Sequence, residues 1–273
     1  MAEVRERAGS VVVHLVRATL RAFTTDRRMG LLQTVGAALL VVSEAVGALV
    51  LVDRFGSIGG WTASEVLLLL GLADAGLGLG MLVADPLEPP TFSQLLRDGR
   101  FDQVLTRPIS PLVWVAATDI QVRYVGRLAA GVVVAVAALV TSGSPVTVAA
   151  LALMALAIVA MGITVAAILT IGAAITMYTI EGTEVLNAFT YGGAALAGWP
   201  LQIYSSVLRA VFVWGVPVGA SVYVPTLWIL GRDGVAGASR WLLPFVPVLV
   251  AAFVAVAGGS WRLGLRRYTG AGA

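Results

Sequence analysis

The stretch SEVLLLLGLADAGLGLGMLVA, residues Ser64–Ala84, is long and apolar enough to cross a membrane as one helix. An α-helix needs about 20 consecutive, mostly apolar residues to span a bilayer core. The rest of the chain has a similar character, since 59% of its 273 residues are hydrophobic and only 12% are charged. Soluble domains contain about 25% charged residues, so this composition excludes a soluble globular enzyme and a disordered tail. The sequence therefore predicts an all-α, polytopic membrane protein.

Apolar runs on both sides of this stretch predict six transmembrane helices. In chain order they lie at about 31–52, 64–84, 111–140, 146–178, 185–204 and 241–260. We expect a cytoplasmic amphipathic helix at residues 1–30, lying in the membrane interface, a six-span domain at 31–262 and a cytoplasmic tail at 263–273. With six spans, Arg27, Arg28 and the C-terminal arginines share one side, and the positive-inside rule makes that side cytoplasmic.

The region after residue 185 is apolar but rich in glycine and proline. Irregular backbone at membrane depth is tolerated only where protein covers it or where it lines a water-filled cavity. We therefore predict one span followed by a re-entrant outer segment at 205–240; if 207–230 crossed the membrane, there would be seven spans. The predicted outer gate comprises Gly192, Gly193, Trp199, Pro200, Tyr204, Pro217 and Pro225. The aromatic residues of this region could instead be interfacial anchors.

Residue counts exclude several classes of chemistry. All 18 basic residues are arginines, and a Walker A loop needs a lysine on the nucleotide phosphates. The chain has no cysteine and one histidine, His14, so no zinc cluster or thiol nucleophile can form. We expect no catalytic residue, metal or cofactor in this chain. The pI is near 9.7, but the arginines sit at span edges, which indicates membrane topology rather than nucleic-acid binding.

A polar loop at 88–110 separates the second and third predicted spans. Within the sequence TFSQLLRDGRFDQVLTRPISPL, Thr91–Leu112, Thr91 and Gln94 fit a capping box and Gly99 suits a helix end. The apolar face would contain Phe92, Leu95 and Leu96. These features predict a short amphipathic helix on the cytoplasmic side. It could be a linker on the membrane surface or a helix that docks into a groove of another protein.

Two motifs are similar to those of bacterial ABC type-2 permeases. The run G-R-F-D-x-x-L-x-R-P, Gly99–Pro108, resembles that family's cytoplasmic loop signature. The run W-P-L-Q-I-Y, Trp199–Tyr204, followed by Val216-Pro217 and Tyr223–Pro225, resembles its segment after span five. The resemblance covers essentially the whole chain. It implies a six-span subunit of an ABC exporter whose ATPase is a separate polypeptide.

The resemblance also implies a coupling helix at Thr91–Arg107 that is seated on the ATPase. The residues expected to form this docking site are Phe92, Leu95, Leu96, Arg97, Gly99, Arg100, Phe101, Asp102, Leu105, Arg107 and Pro108. Two ATPase subunits would bind ATP and Mg²⁺. A second permease, identical or a related paralogue, would complete the complex in the cell membrane of a bacterium, in contact with membrane lipid.

Ionisable residues inside the predicted spans form a second candidate site. Glu44 and Asp74 lie near the centres of spans one and two, and Asp119, Arg123 and Arg127 share one face of span three at spacings of four. Charges at this depth cost at least about 2.5–3.5 kcal/mol, so they should face protein or water. Three interpretations remain open: acid–arginine pairs that join three helices, a polar patch on a substrate path, or proton coupling.

These observations favour an exporter permease for an amphiphilic or lipid-like substrate, such as a drug, metabolite or lipid. The main alternatives are an ion- or proton-coupled carrier that uses Glu44 and Asp74, and a membrane-integral enzyme that acts on lipid. A carrier would often show two similar halves with broken helices, but only one broken region is present. An enzyme would need a clustered acid–base or metal constellation, and the sequence shows no such spacing.

Overall fold

The computed structural model describes residues 27–119, 121–179 and 184–268, which are mainly helical. Residues 1–26 of the predicted amphipathic segment and residues 269–273 of the predicted tail lie outside these residues. The α-helices are α1 Arg27–Phe55, α2 Ala63–Ala84, α3 Pro89–Arg97, α4 Arg100–Leu105, α5 Pro111–Thr118, α6 Arg123–Thr141, α7 Val148–Thr179, α8 Glu184–Ala197, α9 Ser206–Ala210, α10 Val218–Leu230 and α11 Val246–Arg267. Short 3₁₀ helices occupy Asp85–Leu87, Leu201–Ile203 and Arg240–Phe245, and Val211–Gly215 is a π-helix. Strands β1, Gly234–Val235, and β2, Ala238–Ser239, pair antiparallel.

Helix α2, which corresponds to the apolar stretch Ser64–Ala84, lies at the centre of the bundle. Small residues let α6 and α7 approach it closely: a Cβ atom on Gly71 would lie 2.6 Å from the backbone nitrogen of Ala135. A Cβ atom on Gly80 would lie 2.7 Å from the carbonyl oxygen of Gly162. The glycines of α2 and α7 therefore allow close helix packing, as small residues at helix–helix contacts do in membrane proteins.

Five helical segments of the described chain are long and apolar enough to cross a membrane. They are Arg28–Phe55, Ala63–Arg97, Arg123–Thr141, Val148–Thr179 and Arg240–Arg267. The helix α1 packs on α6, where Gly126 lies against the backbone of Thr34, and leaves most of its apolar surface exposed. The helix α11 packs on α7, where Gly264 lies against Met177. In a bilayer, lipid tails or protein would cover these exposed faces.

The third predicted span is interrupted, which corrects the prediction of one helix over 111–140. Helix α5 ends at Thr118, and Asp119 has a non-helical backbone with φ −146° and ψ 84°. The carboxylate of Asp119 accepts a hydrogen bond from the side-chain amide of Gln121 at 2.8 Å. Only α6, which begins at Arg123, is long enough to span the membrane.

The fifth predicted span, 185–204, also contains a shorter helix than expected. Helix α8 has 14 residues, which corresponds to about 21 Å at 1.5 Å per residue. It ends at Ala197, and Gly198 and Pro200 follow before the 3₁₀ turn at Leu201–Ile203. Proline favours an extended conformation at the residue before it and cannot donate a backbone hydrogen bond. These residues therefore end the helix before it reaches the length of the other spans.

The glycine- and proline-rich segment after α8 is bent. Residues Ser206–Gly215 and Val218–Leu230 form two helical arms at 95° to each other. Both ends of the segment contact the loop between α1 and α2: a Cβ atom on Gly59 would lie 3.3 Å from the Gln202 side chain, and Arg232 donates to the Gly60 carbonyl at 2.8 Å. The chain therefore enters and leaves this segment at the same end of α2, as a re-entrant segment requires.

Candidate functional site

Arg127 of α6 joins two acidic residues from different helices. Its Nε and Nη2 atoms donate to Asp74 Oδ1 of α2 at 2.8 and 2.5 Å. Glu44 Oε1 of α1 lies 3.6 Å from the same Nη2 atom. The Asp74 side chain is 5% exposed, whereas that of Glu44 is 49% exposed. The acids of α1 and α2 therefore contact the same arginine of α6, so the three helices are joined through one arginine rather than through separate acid–arginine pairs.

Arg123 pairs with an acid that is not among the predicted intramembrane charges. Its Nη2 atom lies 3.1 Å from Oδ1 of Asp85, a buried residue at the end of α2. In the sequence, Asp85 directly follows the second predicted span, and it is not a predicted site residue. A buried carboxylate requires a charged or hydrogen-bonding partner, and this rule could have made it a candidate. Asp119 is exposed and does not join Arg123 and Arg127, because the helix is interrupted before it.

A cavity of about 400 Å³ opens beside the Arg127 cluster. Its walls come from α1, α2, α6, α8 and the residues directly after α8. The lining residues are Glu44, Gly47, Ala48, Leu51, Leu70, Ala73, Asp74, Arg127, Tyr191, Ala194, Ala195, Gly198 and Trp199. Small-molecule sites commonly have volumes of about 300–1,000 Å³, apolar walls and a few polar groups. The cavity has these properties, and it joins the intramembrane charges to Trp199, one of the predicted gate residues.

The α8 wall of the cavity is linked to the loop between α2 and α5. The hydroxyl of Tyr191 donates to Glu88 Oε1 at 3.1 Å, and Glu88 is the N-cap residue of α3. Sequence reasoning missed Tyr191, since nothing in the apolar run around it indicates a partner 103 positions away. The bond connects a cavity-lining side chain directly to the first helix of the predicted docking segment.

The predicted docking segment consists of two short helices, α3 and α4. Helix α3 begins at Pro89 with Glu88 as its N-cap, so the predicted capping box at Thr91 is wrong. Proline is favoured at the first helical position because it has no backbone N–H to satisfy. The predicted break at Gly99 is confirmed: its φ of 67° is left-handed, a conformation that glycine adopts without a Cβ clash.

The aromatic residues of α3 and α4 are buried against the last helix of the chain. Phe92 and Phe101 are fully buried, with their ring centroids 5.3 Å apart. Trp261 of α11 lies 5.8 Å from the Phe92 ring, and Tyr268 lies 5.2 Å from the Phe101 ring. In this structure these two phenylalanines hold the helix pair onto the bundle and have no surface available to another protein, which corrects their expected docking contact.

The opposite face of the helix pair is exposed and basic. Its predicted docking residues at the surface are Arg97, Arg100, Leu105, Arg107 and Pro108, whereas Leu95, Gly99 and Asp102 are half-buried and Leu96 is buried. The guanidinium of Arg107 lies 4.0 Å from the centroid of the Trp114 ring of α5. Stacking on an aromatic face holds an arginine in place while its hydrogen-bond donors stay available.

The predicted gate residues fall into separate groups. Gly193 packs near Phe212, at 3.3 Å for an added Cβ atom, and Pro217 lies at the 95° bend. Trp199 faces the cavity. The remaining predicted residues do not gather at one point: Gly192 has open space at its Cβ position, Pro200 is buried, Tyr204 is half-buried, and Pro225 is buried within α10.

The described residues contain no group of three or more His, Cys, Asp or Glu side chains placed to hold a metal ion. A family model described as "ABC-2 family transporter protein" matches residues 38–272. The match therefore includes the Arg127 cluster, the cavity and the α3–α4 helix pair. Comparison with curated proteins and with solved structures gives no significant match.

Proposed function

We propose that this chain exports an amphiphilic or lipid-like molecule. The chain belongs to the ABC-2 transporter family and is the membrane permease component of an ABC transporter. The observation that carries this proposal is the link between two surfaces. The α3–α4 pair presents exposed arginines at the end of α2, and its N-cap residue Glu88 contacts Tyr191 of the cavity wall. One surface can receive mechanical energy, and the other can hold a substrate.

Energy would come from separate ATPase subunits. The chain has no lysine for a Walker A loop, so two partner subunits would bind ATP and Mg²⁺, and this chain would carry no catalytic residue or cofactor. Each partner would dock on the exposed face of α3 and α4. Arg100 and Arg107 offer charge-assisted hydrogen bonds to acidic side chains of such a partner.

The topology of the bundle supports six spans, and we propose that the membrane they cross is the cell membrane of a bacterium. The two ends of the bent segment contact the same interhelical loop, so a re-entrant segment leaves α8 with its following turn as the fifth crossing. Six crossings would put both termini on the same side as the α3–α4 pair, and the positive-inside rule makes that side the cytoplasm. A second permease, identical or related, would face this one and enclose the path between them.

The contacts suggest how docking would reach the cavity. Closure of the ATPases would displace α3 and α4 as a unit, since the buried Phe92–Phe101 contact holds them together. The displacement would reach α11 through Trp261 and α8 through the Glu88–Tyr191 hydrogen bond. Packed helices shift between discrete arrangements, so the cavity would alternate between inward and outward openings.

The test is co-purification of the tagged chain from its native host in mild detergent, followed by assay of the eluate for ATP hydrolysis. We expect a bound ATPase with the wild-type chain and at least a tenfold loss with Arg100→Glu, about 1.4 kcal/mol, because the substitution reverses charge on the exposed face. Arg54→Glu is the control. It reverses the same charge at an exposed position near the C-terminal end of α1, outside the α3–α4 pair, and should have no effect.

Absence of an ATPase from an intact wild-type complex would contradict the exporter proposal. A carrier that uses Glu44 and Asp74 would then be the leading alternative. Retention of the ATPase by Arg100→Glu would instead contradict docking through this face of α4.

A further inference from the structure

We infer that the cavity beside Arg127 binds the positively charged head of a lipophilic organic cation, with Glu44 as its counter-ion. The inference rests on the proposed function and names the chemical class of its substrate. Two carboxylates and one guanidinium line the cavity, so the formal charge of its ionisable side chains is negative by one. The geometry shows which carboxylate is left to receive the ligand.

Asp74 already has its partner. It accepts two hydrogen bonds from Arg127 and is almost completely buried. Two donors of one guanidinium on one carboxylate form a strong, directional pair. This pair is unfavourable to open inside the membrane, because it would leave a buried charge without compensation. Asp74 therefore serves the structure, and Arg127 has little positive charge left for an anionic ligand.

Glu44 is in a different position. Its single ion pair with Arg127 is 3.6 Å long, and half of its side chain is exposed to the cavity and its surroundings. Arg127 is shared and is held closer to Asp74. A charge at membrane depth is unfavourable without a partner, so a cation that enters the cavity would compensate the excess negative charge at Glu44.

The other walls indicate an organic rather than an inorganic cation. Small inorganic cations require several oxygen ligands, but apart from its charged and aromatic residues the cavity lining is alanine, glycine and leucine. Trp199 and Tyr191 add aromatic rings from the α8 side, and aromatic faces attract organic cations. A volume of about 400 Å³ accommodates an apolar body as well as the charged head.

The experiment compares two probes of almost identical shape and opposite charge. The full chain is placed in lipid nanodiscs, and equilibrium binding of tetraphenylphosphonium and tetraphenylborate is measured against empty nanodiscs, which correct for partition into lipid. We expect saturable binding of the phosphonium and at least tenfold weaker binding of the borate. This comparison uses the unmodified chain, so it does not depend on the folding of any variant.

Variants then assign the binding to Glu44. Glu44→Gln should weaken phosphonium binding at least tenfold, and Glu44→Asp, which keeps the charge, should retain most of it. Asp53→Asn removes a carboxylate from the same helix at an exposed position that does not line the cavity, and it should leave binding unchanged. Trp199→Leu should weaken binding several-fold, since it removes the larger aromatic ring.

Three outcomes would overturn the inference: borate binding as strong as phosphonium binding, no saturable binding of either probe, or unchanged binding in Glu44→Gln. None of these measurements involves an ATPase. Failure of the cation site and failure of the exporter proposal would therefore be seen in different experiments.

Discussion

Two arginines on α6, one helical turn apart, occupy different environments. Arg127 is 15% exposed and lies between Asp74 and Glu44, whereas Arg123 is 40% exposed and forms an ion pair with Asp85. The Arg123 pair is balanced in charge and joins α6 to the end of α2. The Arg127 cluster contains two acids and one arginine, so it carries an excess negative charge, and it lines a cavity. Two arginines one turn apart on the same helix therefore have different roles. Arg123 holds two helices together, whereas Arg127 is part of a candidate binding site.

The largest expected effect comes from removing the buried acid of the Arg127 cluster. Asp74→Asn leaves a guanidinium inside the bundle with only the longer contact to Glu44, which should cost about 3–5 kcal/mol of stability. Thermal unfolding of the purified chain, followed by size-exclusion fluorescence, measures this loss. The double variant Asp74→Asn/Arg127→Gln should be more stable than the single one, because the mostly buried guanidinium is removed together with its buried partner and only the half-exposed Glu44 loses a contact. Equal loss in both would contradict the importance of the pair.

A smaller effect is expected at the Arg123 pair. Asp85→Asn should cost about 1–2 kcal/mol, since loss of a hydrogen bond to a charged group is partly compensated by solvent at the exposed guanidinium. Arg123 also keeps its 3.2 Å contact with the Tyr124 hydroxyl. The same unfolding measurement applies, with Asp119→Asn as the control of near-zero effect at an exposed site. A loss as large as that of Asp74→Asn would remove the distinction between the two arginines.

The smallest change in stability is expected at the link between the cavity and the α3–α4 pair. Tyr191→Phe removes the hydrogen bond to Glu88 and should cost about 0.5–1 kcal/mol. In the complex with its ATPase, we expect unchanged co-purification but reduced stimulation of ATP hydrolysis by the transported molecule or by tetraphenylphosphonium. Tyr178→Phe, whose ring stays beside Arg267, is the control. Full stimulation in Tyr191→Phe would show that coupling follows another route, such as the Phe92–Trp261 contact.

Local features of the sequence predicted much of the fold. The apolar runs of α1, α2, α6, α7 and α11 identified candidate spans, because crossing a membrane depends on the hydrophobicity of about 20 neighbouring residues. Gly99 identified the break between α3 and α4, since a left-handed turn suits glycine. The family resemblance agreed with a match over residues 38–272.

The tertiary structure alone decided the partners of the polar and aromatic side chains. Periodicity placed Asp119 with Arg123, but the helix is interrupted and the partner is Asp85, 38 positions away. Amphipathicity identified the apolar face containing Phe92, yet not that Trp261 covers it. Membrane insertion acts on each segment separately, whereas partners are chosen when helices distant in sequence pack together. For this reason the sequence determined which segments are long and apolar enough to cross the membrane, and packing determined where the cavity and its excess negative charge lie.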